Sequence, residues 1–133
     1  MRIVIAAVGK VKDRPLREAI DEYVGRVRRY VAIDEIEIAD GPPDKVRAGF
    51  EKASRDATVV ALEVNGQALS SEVFAKTLER FGARGKGTVT FLIGGADGLP
   101  PDLSKAAHAR VSLSTLTFPH RLARLVLIEQ IYR

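Results

Sequence analysis

The sequence predicts an α/β fold, a mostly parallel sheet with helices on both faces. Two observations carry this. Short β-branched apolar runs alternate with segments of helical spacing along the whole chain, in the order β-α-β-α-β-α-β-α-β-α. The runs at 2–8 and 58–64 are also apolar almost throughout, as strands covered on both faces are. The 133 residues make one domain, with no repeats, linkers or low-complexity segments. A chain of this length buries roughly two-thirds of the surface that its unfolded form exposes.

Arg2 to Val8 is the first strand and stops at Gly9. Asp13 offers an N-cap and Pro15 a first-turn proline. Leu16, Ile20, Tyr23, Val24 and Val27 follow at helical spacing, with Arg17, Asp21, Glu22, Arg26 and Arg28 on the other side. Residues 33–39 set Ile33, Glu35 and Glu37 against Asp34, Ile36 and Ile38. A single apolar face predicts an edge strand there, ended by Gly41-Pro42-Pro43. Residues 44–55 read as a helix with Val46, Phe50 and Ala53 inward. Residues 58–64 form a buried strand that the Asn65-Gly66 turn signal closes. Ser70, Ser71 and Glu72 start a helix with a stripe of Val73, Phe74, Leu78 and Phe81, broken by Gly82, Gly85 and Gly87. A strand at 88–93, a short helix at 102–108 and a short strand at 110–113 follow. Pro119 opens a last helix that runs to the final residue.

The net charge of +4 permits a phosphate-rich partner without demanding one. The absence of cysteine excludes disulfides, iron–sulfur clusters and thiolate zinc sites, and fits a cytoplasmic protein. The N-terminus reads as a strand with no signal-type segment, and no apolar run is long enough to span a bilayer. His108 and His120 each lack a neighbouring ligand cluster, so no metal is expected. Tyr23 and Tyr30, among basic residues, read as core and rim.

Ligands of open α/β sheets bind beyond the carboxyl ends of the strands. Three loops qualify, those after Val64, Ile93 and Leu113. The second is Gly94-Gly95-Ala96-Asp97-Gly98, able to cradle a ligand or simply to turn tightly. It is not a dinucleotide fingerprint, which would open a long helix after the first strand. Gly85-Lys86-Gly87-Thr88 fails the phosphate-loop pattern because a glycine separates Lys86 from Thr88. No Gly-x-Ser-x-Gly elbow is present. The third loop, Ser114-Thr115-Leu116-Thr117-Phe118-Pro119, mixes hydroxyls with large apolar residues. It can wrap an aromatic base while its amides read the ring edge, and Thr117 and Pro119 also suit a helix start. The last helix carries Leu122, Ala123, Leu125, Val126, Leu127, Ile128 and Ile131. A helix apolar nearly all round needs cover, and a two-fold homodimer is the simplest source. Arg124 on that helix needs a partner, either a phosphate or a carboxylate across such a dimer.

These segments together resemble the ribosomal RNA large subunit methyltransferase H family of the SPOUT superfamily, from Met1 to Arg133. The resemblance is carried by Ala7-Val8-Gly9-Lys10, by Leu62-Glu63-Val64-Asn65-Gly66, by Phe91 to Leu99, by Leu113 to His120 and by Leu127 to Arg133. It implies a C-terminal trefoil knot, which spacing alone never suggests. It implies a homodimer through the last helix and S-adenosylmethionine bound by Leu62, Gly94, Leu113, Ser114, Thr115, Leu116, Thr117 and Phe118. It implies methylation at N3 of a pseudouridine in large-subunit ribosomal RNA, on the assembled ribosome. His120, Arg124 and Arg133 are the candidate RNA contacts, and no catalytic base is named. Relatives continue past the counterpart of Tyr132-Arg133 with a tail ending in a Tyr-His pair and a basic residue. The expectation is therefore a single domain over 1–133 without that tail, one that pairs and holds cofactor but methylates poorly. The alternative reading is a non-catalytic RNA- or ribosome-binding protein that keeps the knotted fold. A flavodoxin-like nucleotide-binding regulator leaves the Ser114–Pro119 loop without a role.

Overall fold

Strand and helix alternate without a break across residues 1–133, all of which the computed structural model describes. The elements are β1 (Arg2–Val8), α1 (Arg14–Arg28), β2 (Ala32–Ile38), α2 (Pro43–Ala53), β3 (Thr58–Ala68), α3 (Ser71–Gly82), β4 (Thr88–Ile93), α4 (Pro101–Ala106), β5 (Ala109–Ser112) and α5 (His120–Tyr132). All four strand pairings are parallel, and the order is β2-β1-β4-β3-β5.

That order sorts the helices. Parallel crossovers are right-handed, so the direction in which the chain moves along the sheet decides which face its helix covers. The steps β1 to β2 and β3 to β4 run one way, and α1 and α3 share a face. The steps β2 to β3 and β4 to β5 run the other way, and α2 and α4 share the opposite face. The core divides accordingly. Ile3, Ile5, Val60, Val89, Phe91 and Ile93 face α1, α3 and α5. Ala6, Val8, Ala61 and Leu92 face Phe50 of α2 and the Leu99–Leu103 region. Alternate residues of each strand thus feed two cores, which is why the central strands are apolar on both sides.

The helix starts behave as their sequences require. The Asp13 carboxylate accepts the Leu16 N–H at 2.9 Å, and the Ser70 hydroxyl accepts the Val73 N–H at 3.2 Å. Val73 itself is 46% exposed and does not belong to the inner stripe of α3, which is Phe74, Leu78 and Phe81. β2 is an edge strand, but its apolar residues do not share one buried face. Ile33 enters one core and Ile38 the other, while Ile36 lies exposed.

The largest departure from the sequence reading is in β3. Asn65-Gly66 does not end it. The strand bulges after Leu62 and resumes pairing with β5 at Gln67 and Ala68. Gly66 explains the geometry, since a Cβ there would meet the backbone of Arg110 and Val111 at 2.9 Å. The glycine serves close approach of two backbones rather than a turn. His108 ties the other end of this pairing, where its Nδ1 accepts the Val59 N–H and its own N–H donates to Val59 O, both at 2.9 Å.

α5 finds much of its cover within the chain. Arg124, Leu127, Ile128 and Ile131 form one buried stripe against the sheet, α1 and α3. Leu125 and Val126 are half-buried and Leu122 is exposed. No helix is long and apolar enough to cross a membrane.

Candidate functional site

Adjacent strands whose connections leave to opposite faces open a crevice at their carboxyl ends. β4 sits between two such neighbours, because β1 and β3 both lead to the α1–α3 face and β4 leads to α4. The crevice between β4 and β3 is a cleft of about 370 Å³, within the usual range for a small-molecule site. Its walls come from the bulge inside β3, the loops after β4 and β5, and the first turn of α5. Leu62, Gly94, Leu113, Ser114, Leu116, Thr117, Phe118 and His120 all line it. Thr115 does not, and it is exposed.

Each wall has a local cause. The β3 bulge swings Glu63 and Val64 over the cleft. The glycine loop is a tight turn closed by the Gly98 N–H on Gly95 O at 3.0 Å, with Gly98 at φ +75°. A Cβ on Gly94 would meet Leu99 N at 2.6 Å. The Leu113–Pro119 segment carries the chain from the outermost strand back across the sheet to α5. It braces itself, since the Ser112 hydroxyl donates to Ser114 O at 2.8 Å and the Leu116 N–H donates to Ser114 Oγ at 2.9 Å. The N–H groups of Thr117 and Phe118 have no acceptor within the protein, so they are open donors at the wall.

Two titratable side chains line the cleft, Glu63 and His120. Glu63 is half-buried and is the one carboxylate there. Sequence reasoning passed over it because it sits within a strand read as core. The signal was a lone charge in an otherwise apolar run.

Arg124 is placed differently from the expectation. It is fully buried, so an RNA phosphate does not reach it. Its partners are carboxylates of its own chain, not of a second copy. Nη1 donates to Glu35 Oε2 at 2.7 Å and to Glu37 Oε2 at 2.8 Å, and Nη2 donates to Gly9 O at 3.2 Å. Arg17 approaches Glu35 from the other side, with Nη2 at 2.5 Å from Oε1. Burial works to raise the Glu35 carboxyl, but the hydrogen bonds from Arg17 and Arg124 together outweigh it and hold it below the usual carboxylate range. The Glu35 contact in turn raises Arg17. Arg133 is not brought to the cleft either. It lies at the far end of α5 beside Met1 and Tyr30, paired with Glu129 at 2.7 Å. At 1.5 Å per residue, His120 and Arg133 stand roughly 20 Å apart along the helix. No cluster of three or more His, Asp or Glu groups is placed to hold a metal ion.

The family model described as "Predicted SPOUT methyltransferase" matches residues 1–133. The chain belongs to the SPOUT methyltransferase family. This SPOUT methyltransferase chain is 70% identical over 133 residues to the ribosomal RNA large subunit methyltransferase H of Sorangium cellulosum, covering all of this chain and 92% of that one. Two solved structures share the fold. A probable methylase family protein from Haemophilus influenzae aligns with TM-score 0.59 at 10% identity, over 98% of this chain and 64% of that one. An AdoMet-bound rRNA methyltransferase from Sinorhizobium meliloti aligns with TM-score 0.54 at 12% identity, over 98% and 55%.

Proposed function

We propose that this SPOUT methyltransferase transfers the methyl group of S-adenosylmethionine to N3 of a pseudouridine in large-subunit ribosomal RNA. The observation that carries the reading is the convergence of the β3 bulge and the loops after β4 and β5 on one cleft, in a chain 70% identical to a named ribosomal RNA large subunit methyltransferase.

The residues present fit the cofactor. Leu62, Leu113, Leu116 and Phe118 offer apolar walls for an adenine ring, and the free Thr117 and Phe118 N–H groups offer donors to its edge. When bound, S-adenosylmethionine supplies a methyl carbon on a positively charged sulfur. The walls must hold the target base so that N3 lies in line with that carbon. N3 also gives up its proton as the new bond forms, and Glu63 is the wall residue placed to receive it. His120, packed over Gly9, orders the start of α5.

The reading includes a homodimer through α5, in the cytoplasm, acting on the ribosome. The outer side of α5 supports the dimer, since Leu122 is exposed and Leu125 and Val126 are half-buried. It includes the trefoil knot. The return of the chain from β5 across the strand ends to α5 is the kind of crossing that a knot needs.

Calorimetry with S-adenosylmethionine tests the cofactor, and saturable heat is expected. No heat at high cofactor concentration would transfer the case to a non-catalytic RNA-binding protein. Mass spectrometry of ribosomal RNA from cells lacking the protein tests the target. One missing methyl on a large-subunit pseudouridine is expected.

A further inference from the structure

The loop between β1 and α1 is short, rigidly held and basic. Gly9 has φ +87°, and its N–H donates to Ile38 O at 2.8 Å. Its carbonyl accepts from Arg124 at 3.2 Å. The Val11 N–H donates to Glu37 Oε2 at 3.4 Å, and the His120 ring covers Gly9, with Nε2 3.8 Å from where a Cβ would stand. Val11 is buried, so the residues flanking it, Lys10 and Lys12, point outward and are exposed.

The place matters. β1 pairs with β4 as far as Ala7 and Ile93, so this loop emerges beside the glycine loop. It also abuts the first turn of α5, where His120 and Ala123 line the cleft and Arg121 is exposed. Arg2, Arg14, Arg17, Arg26, Arg47, Lys86, Arg124 and Arg133 are neutralised in ion pairs. Lys10, Lys12 and Arg121 are in none of these pairs, and among the unpaired basic side chains they are the ones on this loop and on the first turn of α5.

The cost of holding the loop is also informative. A guanidinium at 0% exposure, with an Nε that has no partner, occupies the same helix stripe as Leu127, Ile128 and Ile131. An apolar residue there would avoid the desolvation of a charge. What the arginine does that an apolar residue cannot is to join the Gly9 carbonyl to Glu35 and Glu37, and so fix the loop against α5.

We infer that the Gly9–Lys12 loop is a phosphate-reading element for the substrate RNA, with Lys10 and Lys12 meeting backbone phosphates beside the target base and Arg124 as the positioning residue that holds the loop in place. The inference rests on the proposed RNA methylation and names the residues that seat the RNA. Lysine suits this task, since it meets a phosphate as a point charge and asks nothing of the sequence.

The test uses the whole chain, S-adenosylmethionine and ribosomes from cells lacking the methyl mark. In Lys10→Ala/Lys12→Ala, KM for ribosomes should rise about tenfold or more. The slope of log affinity against log salt should fall by about 1 per lysine removed, and the cofactor Kd should stay put. Arg124→Met should raise the ribosome KM, and adding it to the lysine pair should do little more, because both act through one loop. Arg124→Lys should recover part of the loss. An unchanged KM and salt slope in the lysine pair overturns the inference, whether or not Arg124→Met folds. So does an Arg124→Met that weakens cofactor and ribosome binding equally, since that is general loosening. If the unaltered chain neither binds these ribosomes nor transfers methyl to them, the proposed function falls and takes this inference with it.

Discussion

Arg124 and Glu35 stand 89 residues apart in the chain, and their side chains meet at 2.7 Å. The contact joins the last helix to the edge strand, and Gly9 O and Glu37 accept further hydrogen bonds from the guanidinium. Removing the arginine leaves two neighbouring carboxylates facing each other and a carbonyl without its donor. Arg124→Ala is therefore expected to lower stability by about 3 kcal/mol. Urea unfolding checks this, as a lower midpoint at unchanged slope. A midpoint shift within error would mean that the network contributes nothing.

Glu35 makes the same network sensitive to acid. Its carboxyl in the folded protein sits below its ordinary value of about 4.3. The ionised form is thus favoured by folding. The stabilisation is complete above that ordinary value and is lost as pH falls through the lower, folded value. Unfolding midpoints measured from pH 6 downward should hold level and then drop in the acid range. In Glu35→Gln the drop should be shallower, from a lower starting plateau. A Gln variant whose acid limb matches the parent's would remove Glu35 as its source.

Much of this fold is local and therefore legible in the sequence. β1 and β4 end where their apolar runs end, and Asp13 and Ser70 cap the helices that they precede. The loops after β4 and β5 meet because a parallel sheet puts such loops on one edge, while the wall at Leu62 to Val64 is a bulge inside β3 and not the loop expected after Val64. What was hidden depends on contacts across the chain. Asn65-Gly66 has the composition of a turn, but β5 lies close enough to keep β3 paired beyond it. Arg124 plainly needed a partner, yet nothing local says that Glu35 and Glu37 supply it. Arg133 is near His120 in sequence, and the helix rise carries it away from the cleft. Thr115 falls outside the cleft lining while its neighbours Ser114 and Leu116 belong to it, which periodicity does not resolve in a loop.

Two glycines offer opposite signs for the same substitution. A Cβ on Gly94 would press on Leu99 N at 2.6 Å, with backbone and not a flexible side chain as the neighbour. Gly94→Ala must open the turn, so it should weaken cofactor binding at least tenfold and destabilise the fold by about 1–3 kcal/mol. Gly25 lies inside α1 with nothing within 4 Å of a Cβ there. Gly25→Ala should stabilise by about 0.5–1 kcal/mol and leave the cofactor Kd alone. Thermal unfolding and calorimetry on the pair read both quantities. A Gly94→Ala protein with native cofactor affinity would take the glycine loop out of the site.

Glu63 and His120 can be separated by kinetics. If Glu63 receives the N3 proton, Glu63→Gln keeps the shape of the wall and removes the acceptor. Its kcat should fall about a hundredfold or more, while the cofactor Kd changes little. His120→Gln should lose less than about tenfold, because that ring packs on Gly9 and acts through the loop. The reverse ranking would hand the proton to His120. Full activity in both variants would mean that water takes it.

The outer side of α5 decides the oligomer. Leu122 is 38% exposed and lies one turn before Val126, which is half-buried, so the two form an apolar strip that the chain itself covers only in part. Across a two-fold axis, Leu122 of each copy would meet the same strip of the other. Leu122→Glu would then place two carboxylates face to face in an apolar seam, which costs several kcal/mol and has no way to relax except by separation. In sedimentation, the parent chain is expected at twice the monomer mass and Leu122→Glu at the monomer mass, with circular dichroism read alongside to show that the variant is folded. A parent chain that sediments as a monomer at high concentration, or a Leu122→Glu variant that remains dimeric, would place the partner surface elsewhere than on this strip.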